Sequence, residues 1–300
     1  MCLRTLCIKL TETTTFKQTK TAIYLSAILA IVPTLILLLY YKSLDLGAIR
    51  SYYRYRHPAT GNIVTTGLKS QLTPLEEISP YITLAVLANE DTAFARHPGI
   101  DLLQIWQALC DFILKGKQLR GASTISQQLV KNLYLSRERS FLRKLRELIY
   151  TLKIEHLLSK AEILTLYLNN IEFGENIIGI SNASKFYFNK QPSEVTINEA
   201  VLLVYLIPNP IRRSRFFKTN KFGKKERHIL LNTFNKTIAA LTRFRKISDR
   251  LPNFDSYDIL SFYRMNINLS NHPQDLLNTQ EHTNFKVFLN ILSKIPQNNH

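Results

Sequence analysis

Residues 90–101, EDTAFARHPGID, put two adjacent carboxylates, an aromatic, an imidazole, a glycine and a third acid within one short stretch. Glu90 and Asp91 are candidates for proton transfer, with His97 as a neighbour able to hold one of them in place. YITLAVLAN runs into them at helical spacing, so both acids fall near the C-terminal end of a helix. The macrodipole there favours cations and gives a carboxylate no help. Consecutive positions point about 100° apart, so the two acids cannot both face one site. One is expected to face it while the other is tied into the His97 loop. A solvated acidic turn, with His97 as a helix-end cation, accounts for the same residues. Metal ligation by Glu90, Asp91 and His97 has no repeated His or Cys spacing behind it.

A second group lies further along. Eleven Lys or Arg and three Glu fall between residues 115 and 160, and Glu147 sits among Lys131, Arg139, Arg143 and Lys144. Such a field suits a leaving group on which negative charge develops, a diphosphate above all. The plainer account of Arg143 and Glu147 is a solvated i,i+4 ion pair. Upstream, RGASTISQQLVKN (120–132) gathers Ser123, Gln127 and Gln128, whose side chains donate and accept and so suit sugars and phosphate oxygens. A helix cap by Ser123 or Thr124 is the ordinary use of the same segment. The chain carries a net charge of +17, from 39 Lys and Arg against 22 Asp and Glu. That balance selects anionic partners. Few aromatics interleave the basic stretch for base stacking, so nucleic acid is not an expected partner.

The elements that must hold these groups are mainly helices. Nine glycines and eleven prolines in 300 residues suit long helices better than many short strands. TPLE (73–76), SKAE (159–162) and TINE (196–199) each carry the Ser/Thr-x-x-Glu capping pattern. FLRKLRELIYTLKIEHLL (141–158) sets Leu142, Leu145, Leu148, Ile149 and Leu152 on one stripe and Arg143, Lys144, Glu147 and Thr151 on the other face. LLQIWQALCDFIL (102–114) is apolar at 10 of 13 positions. It reads as a buried core helix or as an element inserted into the outer leaflet of a bilayer. GNIVTTGL (61–68) reads as a strand or hairpin arm. RRSRFFKTNKFGKKER (212–227) reads as a loop leading into one further helix, and the last 50 residues show no periodicity.

TAIYLSAILAIVPTLILLLYY, residues 21–41, runs without a charge. At about 1.5 Å per residue it reaches roughly 30 Å, the thickness of a bilayer's hydrocarbon core. It is expected to be a retained transmembrane helix, because it is long for a signal peptide and ends in Tyr-Tyr-Lys rather than a small-residue cleavage site. Lys and Arg flank it on both sides, so their bias toward one orientation is weak. Cys2 and Cys7 precede it, and Cys110 alone remains in the body, so no internal disulfide is expected there.

Five segments occur in an order and spacing that resemble the motifs of the peptidoglycan glycosyltransferases, glycosyltransferase family 51. They are EDTAFARHPGID, GASTISQQLVKN, RKLRE, ILTLYLNNIEFGENIIGISNASKFYFNK and NEAVLLVYLIPNP, within about residues 70–212. The resemblance implies an all-α, lysozyme-like, two-lobed helical domain tethered outside the cytoplasmic membrane. It implies polymerisation of lipid II into glycan strands with release of undecaprenyl diphosphate. By motif position Glu90 matches the general base and Glu147 the second carboxylate near the donor's diphosphate. Lys131, Arg139, Arg143 and Lys144 match positions that bind or shape the diphosphate site. Ser123, Gln127 and Gln128 match polar donor-site positions, and Asp91 and His97 match supporting ones.

The implied organisation is a cytoplasmic tail (1–20), a transmembrane helix (21–41), a linker (42–69), a glycosyltransferase domain (70–212) and a basic extension without assigned role (213–300). Lipid II, the nascent glycan, the cytoplasmic membrane and cell-wall synthesis proteins are the partners this implies. No cofactor is required by these residues, and a divalent cation, Mg or Mn, is compatible with the diphosphate chemistry. Neither Ser-x-x-Lys nor Lys-Thr-Gly occurs in the 300 residues, so the monofunctional type is expected. Gln107 and Ile178 depart from the family pattern, which often has Arg and Tyr there. A lysozyme-like glycan hydrolase and a non-catalytic scaffold binding lipid-linked precursors are the alternatives.

Overall fold

The computed structural model describes residues 35, 39–43, 52–56, 63–68, 72–116, 123–135, 140–219, 222–247, 255 and 258–260. The chain separates into two compact units, 1–46 and 47–300. In the first, residues 39–43 are helical, and the Ser43 hydroxyl donates to the Tyr40 carbonyl at 2.8 Å. Most of the 21–41 run lies outside the described residues. Among the described residues no helix is long and apolar enough to cross a membrane.

The second unit is predominantly helical. Its helices are α1 (Pro80–Glu90), α2 (Leu102–Lys115), α3 (Ile125–Tyr134), α4 (Phe141–Leu157), α5 (Lys160–Asn170), α6 (Ile180–Phe188), α7 (Ile197–Leu206), α8 (Pro210–Thr219) and α9 (Lys224–Ile247). The expected all-α body is modified by two antiparallel hairpins. β1 (Tyr52–Arg56) pairs with β2 (Ile63–Leu68), which is the arm read from GNIVTTGL, and β3 (Glu172–Gly174) pairs with β4 (Ile177–Ile178).

The core explains why α1 can carry a functional group at its end. Ile82 through Ala88 are all buried, so α1 is enclosed on every side. It packs against α7 and α9, while α3 packs against α4 and α5. The capping boxes at Ser159 and Thr196 form as their sequences specify, and a third forms at Thr124 with Gln127. TPLE does not cap a helix. It makes a single 3-10 turn, Leu75–Glu77, and the helix starts only at Pro80. Proline pushes the preceding residue out of the helical region, and Ser79 accordingly sits at ψ 129°.

Two further expectations change. The segment read as a loop from 212 is helical over its first half, as the continuation of α8; Pro210 occupies the first position of that helix and the Asn209 carbonyl accepts from the Arg213 amide. Beyond it, α9 lies on α1 and α7. Finally, α2 is not a core helix. Leu102, Leu103, Ile105, Trp106, Leu109, Phe112, Ile113 and Leu114 are all exposed, Trp106 at 63%.

Candidate active site

Glu90 is the last residue of α1, and Asp91 is its C-cap. The two carboxylates diverge. Asp91 turns into the loop, where His97 Nε2 lies 3.0 Å from both its oxygens. His97 Nδ1 accepts from the Gly99 amide at 3.1 Å, so the ring proton sits on Nε2 and is donated to Asp91. Asp91 also accepts from the Ile125 amide at 3.0 Å, an anion placed at the N-terminus of α3. Both His97 nitrogens and the Asp91 carboxylate are thereby engaged with protein. Among the described residues no group of three or more His, Cys, Asp or Glu is arranged to hold a metal ion.

Glu90 points elsewhere. Its Oε2 accepts from Gln128 Nε2 at 3.0 Å, and Gln128 Oε1 accepts from the buried Tyr167 hydroxyl at 3.0 Å. Burial pushes the Glu90 carboxyl above the ordinary carboxylate range. The Gln128 hydrogen bond and the charges of Arg213 and Lys236 partly oppose this, and Asp91 adds to it. The end of α1 is held by α9, since Asn89 Nδ2 donates to Thr237 Oγ1 at 3.0 Å.

Glu147 lies on α4 and is 2% exposed. Arg143 Nη1 donates to its Oε2 at 3.0 Å, and Lys144 Nζ donates to Oε1. Lys131 lies in the electrostatic reach of both carboxylates. Burial, with the charges of Arg143 and Lys144, lowers its ammonium below the ordinary lysine value, while Glu147 and, more weakly, Glu90 act to raise it. One lysine thus stands in the field of both acids, with its side chain still open to solvent.

A separate network fixes the loop against α4. Lys160 Nζ donates to the His97 carbonyl and to Glu155 Oε1, each at 2.7 Å, and Ser126 donates to the same Glu155 oxygen. Gly99 has φ +90°, and a Cβ there would meet Glu155 Cγ at 2.7 Å and Thr151 Cγ2 at 2.8 Å. Gly99→Ala is therefore expected to lose about 1–3 kcal/mol of stability from backbone strain alone, with the steric clash adding to it. Thermal or urea unfolding measures this.

The residues singled out in the sequence do not all converge. Gln128 bonds Glu90, Arg143 and Lys144 bond Glu147, Lys131 stands in the field of both acids, and His97 holds Asp91. Gln127 is buried and accepts from the Thr124 amide at 3.1 Å, so its carboxamide serves the helix start rather than open space. Ser123 is exposed just before that cap. Arg139 lies outside the described residues. Reading the sequence missed Tyr167, Glu155, Lys160, Arg213 and Lys236. Of these only Tyr167 gave a signal, a hydroxyl inside the apolar run ILTLYL that needs a partner once buried.

The profile of the Transglycosylase family matches residues 59–235, more than half of the chain. The chain is similar to the biosynthetic peptidoglycan transglycosylase of Pasteurella multocida, 46% identical over 173 residues, covering 56% of this chain and 68% of that protein. The protein of that name from Shewanella oneidensis is 48% identical over 147 residues, covering 49% of this chain and 63% of the relative. That from Salmonella arizonae is 48% identical over 143 residues, covering 48% and 59%. The matches thus span about two thirds or less of these relatives' lengths. By the profile match over its helical body, this chain belongs to the transglycosylase family.

Proposed function

We propose that the chain is a membrane-anchored, lysozyme-like peptidoglycan glycosyltransferase that polymerises lipid II, with its catalytic body outside the cytoplasmic membrane and residues 21–41 as the single span. Glu90 removes the proton from the acceptor's sugar hydroxyl. The freed oxygen attacks the donor's anomeric carbon as the bond to the diphosphate breaks, and undecaprenyl diphosphate leaves. Lys131, Arg143 and Lys144 receive the charge that develops on it. Glu147 holds two of those cations in place. What supports this reading is one carboxylate, Glu90, held by Gln128, and a second, Glu147, buried and held by Arg143 and Lys144, with Lys131 in the field of both.

One observation favours a second reading. A carboxyl raised by burial is also what a glycan hydrolase needs for its acid. Product analysis separates the two: lipid II converted to longer glycan with undecaprenyl diphosphate released supports polymerisation, and shortening of finished glycan supports hydrolysis.

The pH dependence follows from the charges around Glu90. A base works only when deprotonated, so activity falls as pH drops through its raised value. Lys236 lowers that value. Lys236→Gln is therefore expected to move the acid limb of kcat/KM to higher pH and to leave activity at alkaline pH near that of the parent. A pH–rate profile of both chains measures the shift.

A further inference from the structure

Helix α4 turns polar residues inward. Glu147 is 2% exposed and Thr151 0%, and of the apolar stripe read from the sequence only Ile149 is enclosed, at 5%. Glu147, Thr151 and Glu155 follow i, i+4, i+8 spacing, so they share one face of the helix. The Thr151 hydroxyl donates to the Glu147 carbonyl at 2.7 Å. At the usual helical rise, Glu155 lies about 12 Å along α4 from Glu147.

There Glu155 meets a cation that the chemistry does not use. The side chains of Glu155 and Lys160 are 8% and 23% exposed, and Oε1 lies 2.7 Å from Nζ. The same Oε1 accepts from the Ser126 hydroxyl, and Nζ also donates to the His97 carbonyl at 2.7 Å. Nζ stands 4.6 Å from the centroid of the fully buried Phe94 ring. Four segments therefore meet at one ion pair: α3 through Ser126, α4 through Glu155, the start of α5 through Lys160, and the loop after Glu90 through Phe94 and His97. An exposed pair of this kind holds little. One largely withdrawn from water, with each charge also bonded to a neighbour, is costly to break.

The segments it joins also carry the base. Asp91, beside Glu90, accepts from the Ile125 amide at 3.0 Å, and Gln128 donates to Glu90 at 3.0 Å, so Ser126 sits between the two contacts that hold the end of α1. We propose that the Glu155–Lys160 pair is a positioning device for Glu90. It ties the loop and the start of α3 to α4, and so sets the separation between the base and the cations held by Glu147. Neither residue takes part in the bond changes; the pair acts on rate through Glu90. This rests on the reading of the chain as a lipid II polymerase with Glu90 as its base.

Lys160→Met removes the cation and keeps most of the side chain's length. It is expected to lower kcat for lipid II polymerisation about 10-fold, because a small misplacement of a reacting group is enough for that, with KM within about twofold of the parent. In a Glu90→Gln background the same substitution is expected to cost less than about twofold, since the group it positions no longer functions. Equal losses in the two backgrounds overturn the proposal and leave the pair to general stability. Glu155→Gln with Lys160→Met removes both charges and leaves neither unpaired, and it carries the same test where the single variant does not fold.

Amide hydrogen exchange on the same chains gives a readout apart from activity. The Gly99 amide donates to His97 Nδ1 and the Ile125 amide to Asp91, so both report on the loop. Their exchange is expected to quicken by about 10-fold or more in Lys160→Met while the buried interior of α1 keeps its parental rates. Parental exchange at both amides overturns the proposal. A parent chain that polymerises no lipid II instead removes the functional reading, and exchange still decides whether the pair holds the loop.

Discussion

Glu90→Gln is expected to reduce lipid II polymerisation by about 10²–10⁴-fold, the usual contribution of a positioned general base. Lipid II binding is expected to persist, because glutamine keeps the size and hydrogen-bonding capacity of the side chain facing Gln128. The loss is not expected to arise from unfolding, and linkage gives the sign. Burial raises Glu90 above its ordinary value, so the native state binds the proton more tightly than the unfolded chain. Stability therefore falls as pH rises from the ordinary value through the raised one, and the full penalty is present above both. A neutral glutamine removes that penalty. At neutral pH the variant should unfold at the same temperature as the parent or higher while its kcat collapses. A kcat close to the parental value removes Glu90 from the chemistry.

Glu147→Gln is the second large effect, and here stability and rate have to be weighed. Breaking a fully buried ion pair costs about 3–5 kcal/mol, because a charge is left behind in a dry site. That limit does not apply. The Lys144 side chain is 50% exposed and that of Arg143 19%, so both cations can turn toward water. A stability loss of about 1–2 kcal/mol, the scale of charged hydrogen bonds remade by solvent, is expected instead. Rate should suffer more. Without their anchor the two cations no longer stand preorganised where the diphosphate's charge develops, and losing such donors costs about 10²–10³-fold in kcat. Urea unfolding and steady-state kinetics on one preparation give both numbers. A stability loss with kcat unchanged assigns Glu147 to the scaffold alone.

Local chemistry was legible in the sequence, and long-range geometry was not. The capping boxes at Ser159 and Thr196 could be read because every interacting group lies within four residues. The same pattern failed at Thr73, where Pro80 delayed the helix by forcing Ser79 into an extended backbone. The divergence of Glu90 and Asp91 followed from the angle between adjacent helical positions, and the structure sends Asp91 to His97 and Glu90 to Gln128. Helix facing was the weak point. Periodicity assigns residues to two sides of α4 but carries no label for which side meets the core, and the apolar face of α2 reads alike for a core or a bilayer. Arg213 and Lys236 lower the Glu90 carboxyl's raised value from more than 120 residues away in sequence, and neither carries a local signature.

In the proposed reaction, Glu90 and the cations around Glu147 act on one bond at one moment. A double-mutant cycle in single-turnover consumption of bound lipid II tests it most directly, using Glu90→Gln, Lys131→Gln and the pair. If the two groups serve the same transition state, the effects are strongly non-additive and the double variant is little slower than the worse single one. If the two losses simply multiply, the base and the cation cluster act independently, and the site described above is not a single catalytic unit.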